Sequence, residues 1–193
     1  MSTIFFDVDT QLDFLYPAGA LYVPAAELVV ENFGQLNRWA SAHGIPVIST
    51  VDAHTENDPE FAFWPPHCIA GTWGQQKAAV TLLEKRVTIP NRAGHFQITG
   101  AQQIVIEKQS TNCFTAVHLA TLLDELKADR CVVYGVVTEI CVRHAALGLL
   151  KSGRKVELVA DAVRALNNDA RDQFVAEFAA AGGIVTSIAS LIA

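Results

Sequence analysis

The chain has 193 residues, enough for one ordinary domain that buries roughly 70% of its unfolded surface without disulfides. Lys and Arg number 14 against 20 Asp and Glu, a net charge of −6, which argues against a phosphate-reading, nucleic-acid-binding surface. Charged residues are 18% and hydrophobic ones 51%, which excludes a disordered chain; no run approaches the ~18 consecutive apolar residues of a membrane span.

The opening segment, MSTIFFDVDTQLDF, has no basic n-region and carries Asp7, Asp9 and Asp13, so it does not read as a secretion signal and a cytoplasmic chain is expected. Residues 4–8 form the first predicted strand. An amphipathic helix follows over 25–42, with Leu28, Val29, Phe33, Leu36 and Trp39 on a common face. A strand is predicted at 46–51. The long stretch 52–77 is aromatic and Pro-rich, the kind of loop that usually carries function, and 87–96 reads as a connector with turn residues. Beyond it, strands at 103–107, 131–137, 155–160 and 183–188 alternate with helical patterns at 112–127, 139–151 and 169–181.

The strands are apolar throughout instead of alternating, so both of their faces must be covered by helices. Together with the alternation of strand and helix, this predicts a single α/β domain over residues 1–193, a three-layer α/β/α arrangement with a mainly parallel, doubly wound sheet. Cys68, Cys113, Cys131 and Cys141 are unevenly spaced with no CxxC pair, which favours free thiols in a reducing compartment. For any one of them, the plain alternative is a small buried hydrophobe.

Open parallel sheets bind ligands beyond the carboxyl ends of their strands. The side chains expected there are Asp9 and Asp13 after the first strand, Asp52 and His54 after the second, Lys108 after the third, and Thr138-Glu139-Ile140-Cys141 after the fourth. Four unrelated helix caps are the rival reading. Cys141 is the most informative position. Thr138 is a suitable N-cap and Gly153 a suitable stop, so Cys141 falls in the first turn of a helix, where the dipole and a nearby Lys108 favour thiolate. An acid nearby would move its proton, and spacing does not choose between Asp7 and Asp9. His144, one turn after Cys141, reads as a packing or capping residue.

A second constellation lies in the long loop. Asp52 and His54 stand two apart, so an extended segment directs both to one side. Glu60 and Trp64-Pro65-Pro66-His67-Cys68 follow, and the two prolines present His67 on a stiff extended backbone. Two imidazoles with two carboxylates suit zinc, iron or manganese better than calcium. Cys68 is an alternative soft ligand, but Glu60 makes the more consistent set, and solvated loop residues are the plain alternative.

These residues resemble the isochorismatase-like cysteine hydrolase superfamily, and within it the nicotinamidases. Val8-Asp9-Thr10-Gln11-Leu12-Asp13-Phe14 resembles the D-x-Q-x-D-F opening motif, Ile106-Glu107-Lys108 the lysine segment, and Gly135 to Val142 the nucleophile motif. The likeness runs from about Ile4 to Ile188. It implies Asp9, Lys108 and Cys141 as the catalytic triad, a cis peptide between Val136 and Val137, and an oxyanion hole made by the amides of Val137 and Cys141. It also implies that Asp52, His54, Glu60 and His67 hold a divalent metal, zinc first, that binds the substrate's ring nitrogen. Phe14 and Trp64 fall where nicotinamidases sandwich the pyridine ring. A small-molecule amide substrate and, as is common in similar proteins, a homo-oligomer are further implications.

Two departures bear on the substrate: Glu60 stands where His is more frequent, and Gln109 to Phe114 lacks the tyrosine-rich look of many nicotinamidases. Rival readings are a related hydrolase of another small amide, carbamoyl or ureido compound, and a non-enzymatic binding protein that retains the fold. Isochorismate-type ether hydrolysis needs no nucleophilic cysteine, so Cys141 counts against it. No GxGxxG, HExxH or GxSxG occurs, which removes three common fingerprints. The Gly148–Gly153 segment follows a helix instead of opening one, so it reads as a helix C-terminus and not a phosphate loop.

Overall fold

A computed structural model describes residues 2–192. Among these residues seven strands form one sheet: β1 (Ser2–Val8), β2 (Val47–Asp52), β3 (Arg86–Ile89), β4 (Gln103–Lys108), β5 (Ala128–Val136), β6 (Lys155–Arg164) and β7 (Ile184–Thr186). Their order is β3-β4-β2-β1-β5-β6-β7 and every pairing is parallel. The helices are α1 (Leu12–Leu15), α2 (Val30–Ala42), α3 (Leu119–Glu125), α4 (Arg143–Lys151), α5 (Asn168–Ala180) and α6 (Ile188–Leu191).

Pleating sorts the apolar strand residues into two cores. Ile4, Phe6 and Val8 of β1 join Leu119 and Leu122 of α3, Leu149 of α4 and Phe174 and Phe178 of α5 on one face. Phe5 of β1 joins Phe33 and Leu36 of α2 and Ile188 of α6 on the other. Burial on both faces is why these strands lack polar alternation, and the result is the three-layer α/β/α architecture.

Three of the differences from the sequence reading have a plain physical reason. The predicted connector contains β3, a four-residue strand at the sheet edge that pairs with β4; its mixed exposure left no apolar run to detect. The predicted strand at 183–188 is only three residues long, because Ser187 caps a short helix through its hydroxyl and Ser190 N–H. Thr138 is not an N-cap. The chain enters a π-turn over Thr138–Val142 before α4, Val137 occupies the cap position, and the Thr138 hydroxyl is buried without a hydrogen bond among the described residues.

The direction of strand addition reverses between β1 and β5, and the crevice at that switch point is where the strand ends bring Asp9 and Cys141. Among the described residues no helix is long and apolar enough to cross a membrane.

Candidate active site

Asp9 follows β1 with a left-handed backbone (φ 49°), which turns its side chain off the strand direction. Its Oδ1 accepts a hydrogen bond from Thr50 Oγ1 at 2.7 Å, and its Oδ2 lies 2.9 Å from Lys108 Nζ. Lys108 ends β4, is fully buried, and places Nζ 2.5 Å from Asp52 Oδ1 and 4.0 Å from Cys141 Sγ. Asp9, Lys108 and Cys141 therefore meet, although 99 and 33 residues separate successive members along the chain. Asp7 lies elsewhere. Its carboxylate accepts from Lys77 Nζ (3.0 Å), Thr10 Oγ1 (2.9 Å), Asn37 Nδ2 (2.9 Å) and Ser49 Oγ (3.1 Å), a satisfied buried network on the central strand β1.

Burial sets the charges of this cluster. It pushes the Cys141 thiol well above its ordinary range; Lys108 opposes the shift and the Asp9 carboxylate adds to it. The helix-stabilised thiolate expected from sequence is thus outweighed, and the resting sulfur carries its proton. Burial raises the Asp9 carboxyl as well, against the pull of Lys108, and so makes it a stronger base. Burial alone would depress Lys108, but Asp52 and Asp9 raise its ammonium well above the usual value. Desolvation pushes the Asp52 carboxyl up, but Lys108, His67 and His54 together outweigh it and leave Asp52 below the usual carboxylate range.

Asp52 also belongs to the second cluster. The ligand atoms of Asp52, His54 and His67 lie within 4.8 Å of one another, all three buried. His67 Nδ1 is 2.7 Å from Pro65 O and so donates to it, which leaves Nε2 as the free ligand atom, 3.8 Å from Asp52 Oδ2. His54 is fully buried, and neither ring nitrogen completes a hydrogen bond with the described residues. Unsatisfied buried nitrogens facing a carboxylate and a second imidazole fit a borderline divalent ion. Glu60 does not join these three ligand atoms; it lines the adjoining cavity, its carboxyl raised by burial and by Asp52. Cys68 turns away, its Sγ 3.8 Å from Gly74 O, and burial pushes its thiol far up.

One cavity reaches both clusters. Phe14, Trp64, Leu21, Ile140 and Leu166 form apolar walls around Cys141, Asp52, Glu60 and His67, and Val137 and Thr111 complete the lining. The peptide between Val136 and Val137 is cis. Wider surface depressions occur elsewhere, but they lack the sulfur. His144 faces one of these, away from the site, with Arg143 and Lys151.

Several residues have supporting roles that the sequence did not assign to them. Gln11 grips both backbone groups of Asp52, accepting from its N–H at 2.7 Å and donating to its carbonyl at 2.8 Å. Asp13 accepts from Cys68 N–H at 2.7 Å and so ties down the His67 loop. Glu139 Oε1 accepts from Leu166 and Asn167 N–H, joining the π-turn to the cavity wall. Asp58 caps the 3₁₀ turn Pro59–Ala62, and its Asp-Pro-Glu spacing was the available signal. Thr50 lies inside an apolar strand pattern and gave none.

A parallel sheet with acid, ammonium, thiol and an Asp–His–His set at its switch point defines a hydrolase of the three-layer α/β class built around a buried cysteine. The chain belongs to the Isochorismatase domain family, whose model matches residues 3–87 and 94–190. It is 27% identical to a nicotinamidase of Escherichia coli (strain K12), over 94% of this chain and 93% of that protein. It is also 27% identical to a maleamate amidohydrolase of Pseudomonas putida, over 84% of this chain and 72% of the relative. Among solved structures, it superposes on the pyrazinamidase of Pyrococcus horikoshii in complex with zinc with a TM-score of 0.84 and 27% identity, covering 97% of this chain and all of that one.

Proposed function

We propose that this chain is a cysteine-dependent amidase that hydrolyses nicotinamide to nicotinate and ammonia with the help of a divalent metal. The observation that carries the reading is one aromatic-walled cavity reached by both Cys141 and the Asp52–His54–His67 cluster. Relatives that act on nicotinamide and pyrazinamide, the latter described with zinc, support it.

In this mechanism the flat ring sits between Phe14 and Trp64, where offset stacking and area burial hold it. Asp52, His54 and His67 would hold the ion, zinc first, with Glu60 available from the cavity wall; bound there, it supplies a positive charge that fixes the substrate's ring nitrogen. Asp9 takes the proton from Cys141 Sγ as the sulfur attacks the amide carbon. Lys108 balances the charge of the developing thiolate, and the Val137 and Cys141 amides receive the oxyanion, each worth roughly 3–4 kcal/mol if aligned. Asp9 returns its proton to the departing ammonia, leaving a thioester. Asp9 then deprotonates a water that attacks the thioester carbon, and the acid leaves as Cys141 recovers its proton.

A carboxylate-bearing amide such as maleamate is the second reading, supported by the Pseudomonas relative. The cavity lining weighs against it, since the charged side chains there among the described residues are acids and Lys108 is already paired with two carboxylates. Four free cysteines accord with a cytoplasmic enzyme.

Purified protein with zinc should release ammonia from nicotinamide faster than from maleamate or ureido compounds, and Cys141→Ala should release none. No ammonia from nicotinamide removes the substrate assignment. Failure across the whole amide panel removes the amidase reading and leaves a binding protein.

A further inference from the structure

We propose that Asp58 is a positioning residue for the metal cluster, holding the His54 ring so that Nε2 faces Asp52 and His67. The inference rests on the metal-assisted reading above. The two oxygens of Asp58 have separate tasks. Oδ1 accepts from Glu60 N–H at 3.0 Å and caps the 3₁₀ turn Pro59–Ala62, while Oδ2 lies 3.1 Å from His54 Nδ1. Asp58 is itself buried, and Phe61 from the turn it caps packs on the rings of both His54 and His67, at centroid distances of 5.2 and 5.8 Å.

An imidazole can ligate through only one nitrogen while the other carries the proton, so a carboxylate beside Nδ1 selects the tautomer with a free Nε2 lone pair. His67 receives the same treatment from Pro65 O. For His54 the group beside Nδ1 is Asp58, an ion-pair contact at 3.1 Å, and neither ring nitrogen completes a hydrogen bond among the described residues. Through Oδ1 the same carboxylate sets the turn that carries Glu60 and leads into Trp64. One side chain thereby couples the ligand tautomer to the cavity wall.

The test is a calorimetric titration of zinc into the full, metal-depleted chain, wild type against Asp58→Asn. Asn keeps an acceptor for Glu60 N–H but offers His54 Nδ1 an amide group in place of the second carboxylate oxygen. Zinc affinity should fall roughly 10- to 100-fold. The thermal midpoint of the metal-free protein should stay within about 4 °C of wild type, a separation that a purely structural role would not produce. Equal zinc affinity in the two proteins overturns the role of Asp58. A wild type that binds no zinc overturns the metal reading and this inference with it. Should Asp58→Asn fail to fold, Asp58→Ser, which retains an N-cap hydroxyl but is too short for His54, carries the same comparison.

Discussion

Lys108 and Asp52 are register partners at the ends of adjacent parallel strands, and Lys108 Nζ stands 2.5 Å from Asp52 Oδ1. The two constellations read separately from sequence therefore share a residue. Lys108 balances Asp9 on one side and the metal-cluster carboxylate on the other. Removing it strands two buried acids. Lys108→Met should destabilise the fold by about 3–5 kcal/mol and lower kcat by at least ~100-fold. Urea denaturation and ammonia release measure the two effects; a stable, active Lys108→Met would contradict the shared-charge arrangement.

Asp7 and Asp9 are both buried acids, yet their surroundings predict opposite consequences. Asp9→Asn should keep most stability and lose roughly 10²–10⁴-fold in kcat, because Asp9 is the acid beside Lys108. Asp7→Asn leaves the buried Lys77 ammonium without its counter-charge, so it should cost about 3–5 kcal/mol of stability with kcat preserved in the folded fraction. Reversed results would exchange the roles of the two residues.

The cysteines should separate by alkylation of the native, metal-free protein. Burial pushes the thiols of Cys113 and Cys131 up to about 12, and neither lines the cavity. Cys141 is only 5% exposed but opens onto it. Iodoacetamide should therefore label Cys141 first, at a rate that climbs with pH through the neutral and mildly alkaline range. The sign follows from a raised thiol pKa: below it, each pH unit multiplies the thiolate fraction by about ten. A rate already flat at neutral pH would mean a resting thiolate.

Metal occupancy should be visible in stability as well as in turnover. Zinc at about 100 times its dissociation constant should stabilise the folded chain by about 2.7 kcal/mol, and chelation should reverse both this and the activity. His67→Ala should abolish the thermal shift. A shift that survives in His67→Ala would place the ion elsewhere.

Glu139 provides a test of the cavity wall. Glu139→Ala frees the Leu166 and Asn167 amides and should raise KM several-fold at nearly constant kcat, equivalent to about 1 kcal/mol of lost positioning. A selective fall in kcat would instead tie Glu139 to the Cys141 turn.

Local residue pattern was enough to determine the alternating α/β architecture, because apolar β-branched runs and helical periodicity are properties of neighbouring residues. It was also enough to place Lys108 and Cys141 at strand ends, which face the crevice of an open parallel sheet, whereas the choice of Asp9 over Asp7 came from the family resemblance. Edge strand β3 escaped because its exposed residues make no apolar run. Tertiary structure alone decided the rest. The pairing of β2 with β4 joined Asp52 to Lys108, long-range burial returned the proton to Cys141, and the fold of the 53–78 loop placed Asp58 against His54 while leaving Glu60 outside the three ligand atoms. Desolvation and charge pairing depend on distances between segments far apart in the chain, and no local pattern encodes those distances.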